Sequence, residues 1–202
     1  VILIGQYDSP FVRRVGVALH LYGIAYEHRP WSVFGDAARL QAINPLGRVP
    51  TLVLEDGTAL LESAAILDYL DDQVGDRALV PRSGPARMMA LRRTALAIGL
   101  AEKSVALVYE AKFHSPPAAF AIARIEGQIE RALAALALDC AAAAPFWHGA
   151  TPGHADIALA CAVHFVAEVH PHLARPDAVM AHGARCEALP VFGLVRQDFA
   201  PP

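Results

Sequence analysis

The stretch VPTLVLEDGTALLESAAILDYL, from Val49 to Leu70, decides what kind of sheet this chain builds. Two extended runs flank Asp56-Gly57, the dipeptide that best fits a two-residue hairpin, so they predict an antiparallel strand pair. From Glu62 the pattern turns helical, with Ile66, Leu70 and Val74 on one side and Asp68, Asp71 and Asp72 on the other. A hairpin followed by a helix closes whatever sheet precedes it.

Upstream, ILIGQY reads as a strand and the run from Ser9 to Gly23 as a helix. Ser followed by Pro10 is a strong start signal, because the hydroxyl accepts an orphan backbone N–H and proline's fixed φ suits the first helical position. Phe11, Val15, Ala18 or Leu19, and Tyr22 recur at helical spacing, and Gly23 supplies the stop. IAYEHR reads as a second strand, DAARLQAI as a short helix capped by Asp36, and NPLG as a turn. The predicted order is β-α-β-α-β-β-α, an α/β domain of thioredoxin-like order with right-handed crossovers.

Strand signals end with GDRALVPRSGP, which has no period. The expected division is residues 1–76 for the α/β domain, 77–85 for a linker and 86–202 for an all-helical domain. Met88, Leu91, Ala95 and Ile98 are expected to form the apolar face that opens one long helix. Ile122, Ile125, Ile129, Leu133 and Leu136 line another, after Pro116 and Pro117. Shorter helices are expected in HADIALACAVHFVAEV, PDAVMAHGARCEAL and VFGLVRQDF, and the Ala-rich run ALAALALDCAAAA reads as helix running into loop.

Composition excludes several classes. With 202 residues and 55% hydrophobic content the chain buries a substantial core. The 17 basic and 20 acidic residues give net charge -3 without a basic cluster, so nucleic acid is not an expected partner. The longest apolar stretches carry charges such as Glu102 and Lys103, so no membrane span is expected. The chain enters the strand-like run VILIG with no basic segment, apolar core and cleavage site ahead of it, which does not suggest secretion. Cys140, Cys161 and Cys186 are odd in number and lie in Ala-rich helical sequence, which fits buried reduced thiols and a cytoplasmic location.

Two segments carry candidate chemistry. Pro50 opens an otherwise good strand, a place that proline tolerates only at edges or special backbone positions. A cis Val49-Pro50 bond would account for it and leave the N–H and C=O of Val49 free to pair with an extended peptide. An edge-strand proline with no ligand fits these residues equally well. At Glu62-Ser63, a helix start offers a hydroxyl and exposed N–H groups to an anion beside a carboxylate that suits a cation, which together fit an α-amino acid head group. Simple capping by Ser63 is the alternative.

With these two segments and the helix start at Ser9 in place, the chain resembles the cytosolic glutathione S-transferases over both halves and nearly its full length. SPFVRRVGVAL is similar to the first-helix motif of the Ser-type bacterial, theta and zeta classes. NPLGRVPTL and ESAAILDYL resemble the family's glutathione-binding segments, and GHADIALACAV its folding motif in the helical domain. The resemblance implies a glutathione transferase with glutathione as co-substrate, working as a homodimer on a small hydrophobic electrophile. It places Ser9 on the glutathione sulfur, Val49 and Pro50 at the cysteinyl unit, Glu62 and Ser63 at the γ-glutamyl head, and Arg48 near the glycine carboxylate. Phe11, the segment after Trp31, Tyr109 and Phe113 are the expected lining of the second-substrate pocket, with core packing of Tyr109 and Phe113 as the other reading.

A free thiol has a pKa near ~8.5, and lowering it by about two units takes roughly 3 kcal/mol, which a hydroxyl donor and a helix N-terminus together supply. Tyr7 is the competing hydroxyl. Pro10 and Phe11 stand where the zeta motif carries a cysteine, which argues against a maleylacetoacetate-type isomerase. With no cysteine near the first helix, thiol-disulfide exchange has no protein nucleophile. Gly153 replaces the folding motif's usual Ser or Thr cap. His164, Glu168, His170 and His172 fall near helical spacing, but Pro171 interrupts them, so no metal is expected and they read as surface or loop residues. A glutathione-dependent isomerase or dehalogenase, and a non-catalytic binding or scaffold protein of this fold, are the alternative functions.

Overall fold

The structure, a computed structural model, describes residues 1–142 and 145–200. It divides into two compact units: Val1–Val80 together with Leu189–Pro202, and Pro81–Ala188. The last residues of the Ala-rich run, Ala143 and Ala144, and the C-terminal Pro201 and Pro202 lie outside the described residues.

The first unit is a four-stranded mixed sheet in the order β2-β1-β3-β4, built from β1 (Ile2–Ile4), β2 (Glu27–Arg29), β3 (Thr51–Val53) and β4 (Ala59–Leu61). β1 pairs parallel to β2 with Leu3 opposite His28, and antiparallel to β3 with Leu3 opposite Leu52. β3 and β4 form the hairpin, with Leu52 opposite Leu60. Its connection is longer than the expected two-residue turn: Leu54 N–H pairs with Thr58 C=O at 2.8 Å and Gly57 N–H with Leu54 C=O at 3.0 Å. Gly57, at φ 87, takes the left-handed position that ends a three-residue loop.

Helix α1 (Pro10–Tyr22) follows β1, α2 (Ala37–Ile43) follows β2 and α3 (Ser63–Val74) follows β4. α1 ends in a Schellman motif, with Gly23 N–H on His20 C=O at 3.1 Å and Ile24 N–H on Leu19 C=O at 3.0 Å. Val12, Val15, Ala18 and Leu19 pack with Leu3, Leu52, Ile66, Leu67 and Leu70 in one core. Each fully buried Leu or Ile there contributes about 1.5–3 kcal/mol. Asp36 precedes α2 without capping it; its carboxylate instead accepts from Ser32 N–H at 3.1 Å and Arg39 at 3.3 Å.

The C-terminal segment from Leu189 belongs to this unit, unlike the expected helical domain running to residue 202. Its regular part is only α8 (Pro190–Leu194). The buried Arg13 of α1 explains the attachment: it donates to Val195 C=O at 3.2 Å and Phe192 C=O at 3.3 Å, with its guanidinium over the Phe192 ring. A buried guanidinium needs acceptors, and the tail's carbonyls supply them.

The second unit holds α4 (Gly84–Phe113), α5 (Ala119–Cys140), α6 (His154–Val169) and α7 (Asp177–Glu187). α4 packs on α5 and α6, and α7 on α5 and α6. The buried face of α4 is Ala97, Leu100, Ala101, Ser104 and Leu107, whereas Met88 and Leu91 near its start are exposed. Small residues at 97, 101 and 104 let the neighbouring helices approach closely, which decides the register. α5 buries Ile129, Leu133 and Leu136 as its period predicted.

Asp156, fully buried in the first turn of α6, accepts from Gly153 N–H at 2.8 Å, Trp147 N–H at 2.9 Å and His182 Nε2 at 2.7 Å. Glycine at the cap position therefore leaves this carboxylate well supplied with donors. His182 in turn stacks on Trp147 and meets Arg185 Nη2 through Nδ1 at 3.0 Å. His170 is buried as well, contrary to its reading as a surface residue, because its Nε2 bonds Ser104 C=O at 2.9 Å and ties the end of α6 to α4.

Replacing Asp156 with Ala strands three donors, two of them buried, so urea unfolding of that variant is expected to show a loss of about 3 kcal/mol. Burial holds His170 below the ordinary imidazole value, its largest influence. The unfolded chain then binds a proton first as pH drops, so stability declines as pH falls below about 6.5. Unfolding measured across that range is expected to lose part of its pH slope in His170→Gln.

Candidate functional site

β1 ends at Gly5, with φ 128, and a Cβ there would fall 2.5 Å from Val12 Cγ2 and 2.8 Å from Val49 Cβ. Only glycine permits this passage, which brings the start of α1 and the Arg48–Pro50 segment against the same strand end. Ser9 caps α1 with φ -72 and ψ 122, and its Oγ accepts from Val12 N–H at 3.5 Å. That bond is long, and the hydroxyl proton enters no hydrogen bond among the described residues. Ser9 is both cap and uncommitted donor.

Tyr7 faces elsewhere. Its hydroxyl is 2.6 Å from that of Tyr26, which continues to His20 Nε2 at 3.0 Å, and its ring stacks on His28 at 4.0 Å. Burial, then the Tyr26 hydrogen bond, pushes its pKa up. A recess of about 590 Å³ lies on this side, lined by Tyr7, His20, Tyr26, His28 and Leu194 among others, and it includes none of Ser9, Val49, Glu62 or Ser63.

The Val49-Pro50 peptide is cis, and the N–H and C=O of Val49 enter no hydrogen bond among the described residues. Buried Asn44 shapes this segment from beneath: Nδ2 donates to Arg48 C=O at 2.8 Å and Thr51 Oγ1 at 3.1 Å, while Oδ1 accepts from Leu46 N–H at 2.9 Å. The sequence reading treated Asn44 only as part of a turn. Its place before Pro45 in a loop leading into a strand was the signal for such a bracket.

At the start of α3, Glu62 occupies the cap position at φ 66, a left-handed conformation that non-glycine residues seldom adopt, and no side chain caps the helix. Ser63 is therefore the first helical residue and does not cap. It is buried, and its Oγ accepts from Arg14 Nη1 at 3.3 Å. Glu62 pairs with Arg48 at 3.0 Å, with side chains 50% and 57% exposed. At such exposure the pair contributes at most about 1 kcal/mol and opens readily to a charged ligand. The result is an uncapped α3 N-terminus at Ser63, with a carboxylate and a guanidinium beside it.

Phe11 is half-buried in the first turn of α1. In the second unit Tyr109 and Phe113 meet edge to face with centroids 5.6 Å apart. They are 41% and 53% exposed, so they do not pack in the helical core. The three cysteines are buried in that unit and form no disulfide with one another, and burial pushes Cys140 up to about 12. His164 lies 3.7 Å from Glu168 and His172 3.2 Å from Glu126, and among the described residues no three His, Cys, Asp or Glu side chains gather as a metal site.

Residues 3–78 match the family of glutathione S-transferase N-terminal domains and residues 119–190 that of glutathione S-transferase C-terminal domains. A glutathione transferase family member from Pseudomonas fluorescens Pf-5, solved with bound glutathione, is 30% identical and superposes with a TM-score of 0.84. That match covers 98% of this chain and 99% of the other. Glutathione S-transferase U7 of Arabidopsis thaliana is 32% identical over 44% of this chain and 39% of its own length. Maleylacetoacetate isomerase of Pseudomonas aeruginosa is 35% identical over 46% of each. The chain thus spans less than half the length of these two curated relatives. Both domain families in their order, and the near end-to-end match to a family member, establish that the chain belongs to the glutathione S-transferase family.

Proposed function

We propose that the chain is a glutathione transferase of the Ser-type, using Ser9 to stabilise the glutathione thiolate for attack on a small hydrophobic electrophile. The observation that carries this reading is the Ser9 hydroxyl, placed at the start of α1 with its proton uncommitted. The glutathione bound to the Pseudomonas fluorescens relative supports the choice of co-substrate.

In this reading the Val49 peptide pairs with the cysteinyl unit next to cis Pro50, which sets the sulfur toward Ser9. The γ-glutamyl carboxylate lies on Ser63 and the α3 N-terminus, the ammonium on Glu62, and Arg48 turns from Glu62 to the glycine carboxylate. The thiol proton leaves to solvent, and Ser9 donates its own proton in a hydrogen bond to the sulfur anion without transferring it. The sulfur electron pair then forms the new S–C bond. In a substitution the leaving group departs with its bonding pair, whereas in an addition across a double bond the π pair moves to the neighbouring carbon, which takes a proton from water. Within the helical unit, the exposed pair Tyr109 and Phe113 is apolar surface of the kind a hydrophobic electrophile takes, and Phe11 is the apolar candidate within the first unit. The relatives' family further supports a homodimer with a detoxifying role, and three buried thiols that form no disulfide with one another support the cytoplasm.

An isomerase or dehalogenase using the same thiolate differs only in the electrophile, and a scaffold would retain the fold without turnover. The Pseudomonas aeruginosa isomerase favours the first alternative, while Pro10 and Phe11 after Ser9 leave it without the cysteine its motif carries.

In Ser9→Ala the bound thiol's pKa, followed by thiolate absorbance, is expected to rise by about one to two units. Turnover at neutral pH falls about tenfold or more while glutathione affinity barely changes, and the rising limb of the pH-rate profile moves to higher pH. Tyr7→Phe leaves that pKa in place, and an unshifted titration in Ser9→Ala would reduce Ser9 to a cap. Calorimetry is expected to give one glutathione per chain, and sedimentation the mass of two chains. No heat at millimolar glutathione would sink every glutathione-dependent reading, and a single-chain mass would remove the dimer.

A further inference from the structure

Arg13 and Arg14 are neighbours on α1, both buried, yet they serve different elements. Arg13 holds the C-terminal segment, whereas Arg14, 2% exposed, crosses to α3 and donates from Nη1 to Ser63 Oγ at 3.3 Å. A guanidinium has donors only, so Ser63 accepts in this bond. The direction matters, because a serine whose acceptor side faces a cation turns its single O–H outward as a donor. Behind an α3 start that no side chain caps, Arg14 therefore orients the Ser63 hydroxyl and adds a permanent positive charge from inside the protein. Helix amides, hydroxyl and guanidinium all favour one ligand group, a carboxylate. Glu62, one residue earlier and exposed, favours a cation next to it.

Resting on the glutathione reading, we infer that Arg14 is a positioning residue that makes the site selective for the α-carboxylate of the γ-glutamyl head, acting through the Ser63 hydroxyl. Arg14 does not touch the sulfur chemistry. It sets which peptides are held long enough for their thiol to reach Ser9. Lysine at this position keeps the charge but not the fork that reaches Ser63, so charge alone does not reproduce it.

The test compares glutathione with 4-aminobutyryl-cysteinyl-glycine, which lacks only that carboxylate, by calorimetry on the unaltered protein, R14M, R14K and S63A. The expected result is that R14M binds glutathione about tenfold to a hundredfold more weakly, but binds the decarboxylated peptide as the unaltered protein does. R14K falls between, and S63A repeats the selective loss with Arg14 in place. S63A keeps the question answerable if R14M does not fold. Equal weakening toward both peptides would make Arg14 a structural tie between α1 and α3, and an undiminished glutathione affinity in R14M or S63A would overturn the inference. Absence of glutathione binding by the unaltered protein would overturn the glutathione reading itself, an outcome distinct from the other two.

Discussion

The close passage of the backbone at Gly5 is the constraint on which the candidate site depends. β1 leaves the sheet between Val12 and Val49, with room for a hydrogen but not a methyl group, and a φ that side chains resist. Because that passage is tight, the helix that begins at Ser9 and the cis peptide at Val49-Pro50 share one strand end. A helix N-terminus and an unpaired peptide group are each common. Their meeting at one glycine turns two local features into one candidate site.

Buried charge organises what surrounds it. Arg13 gathers the C-terminal carbonyls onto α1, Arg14 reaches the first residue of α3, and Asp156 collects three donors at the head of α6. Each is costly to leave unsolvated and unpaired, so each dictates a partner and thereby a geometry. The same logic operates in reverse at the surface, where Arg48 and Glu62 hold one another loosely enough to exchange partners.

Much of this was legible in the residues. Order and type of elements followed from periodicity, capping by Ser9-Pro10 and the Gly23 stop. A special backbone position at Pro50 followed from proline's unfitness for a strand interior, with a cis bond as one of two readings. The errors share a cause. Capping by Ser63, the alternative reading, does not occur, because Glu62 takes that position with a positive φ and Ser63 turns inward to Arg14. Periodicity found the helix opened by Met88 and Leu91, but not that the smaller Ala97, Ala101 and Ser104 are its buried residues. His170 was placed at the surface, and the tail from Leu189 in the helical domain. Each depended on a partner distant in the chain.

By itself the sequence determined the two-part architecture, the hydroxyl at the start of α1, the special peptide at Val49-Pro50 and the carboxylate beside a hydroxyl at Glu62-Ser63. These are local matters, set by φ preferences, period and hydrogen-bonding capacity within a few residues. Tertiary structure alone decided that Tyr7 is engaged by Tyr26, that Arg48 meets Glu62, and that Arg14 stands behind Ser63. Such pairings unite residues 14 to 49 positions apart, and only the packing of α1 and α3 with the sheet determines which long side chains reach which partners.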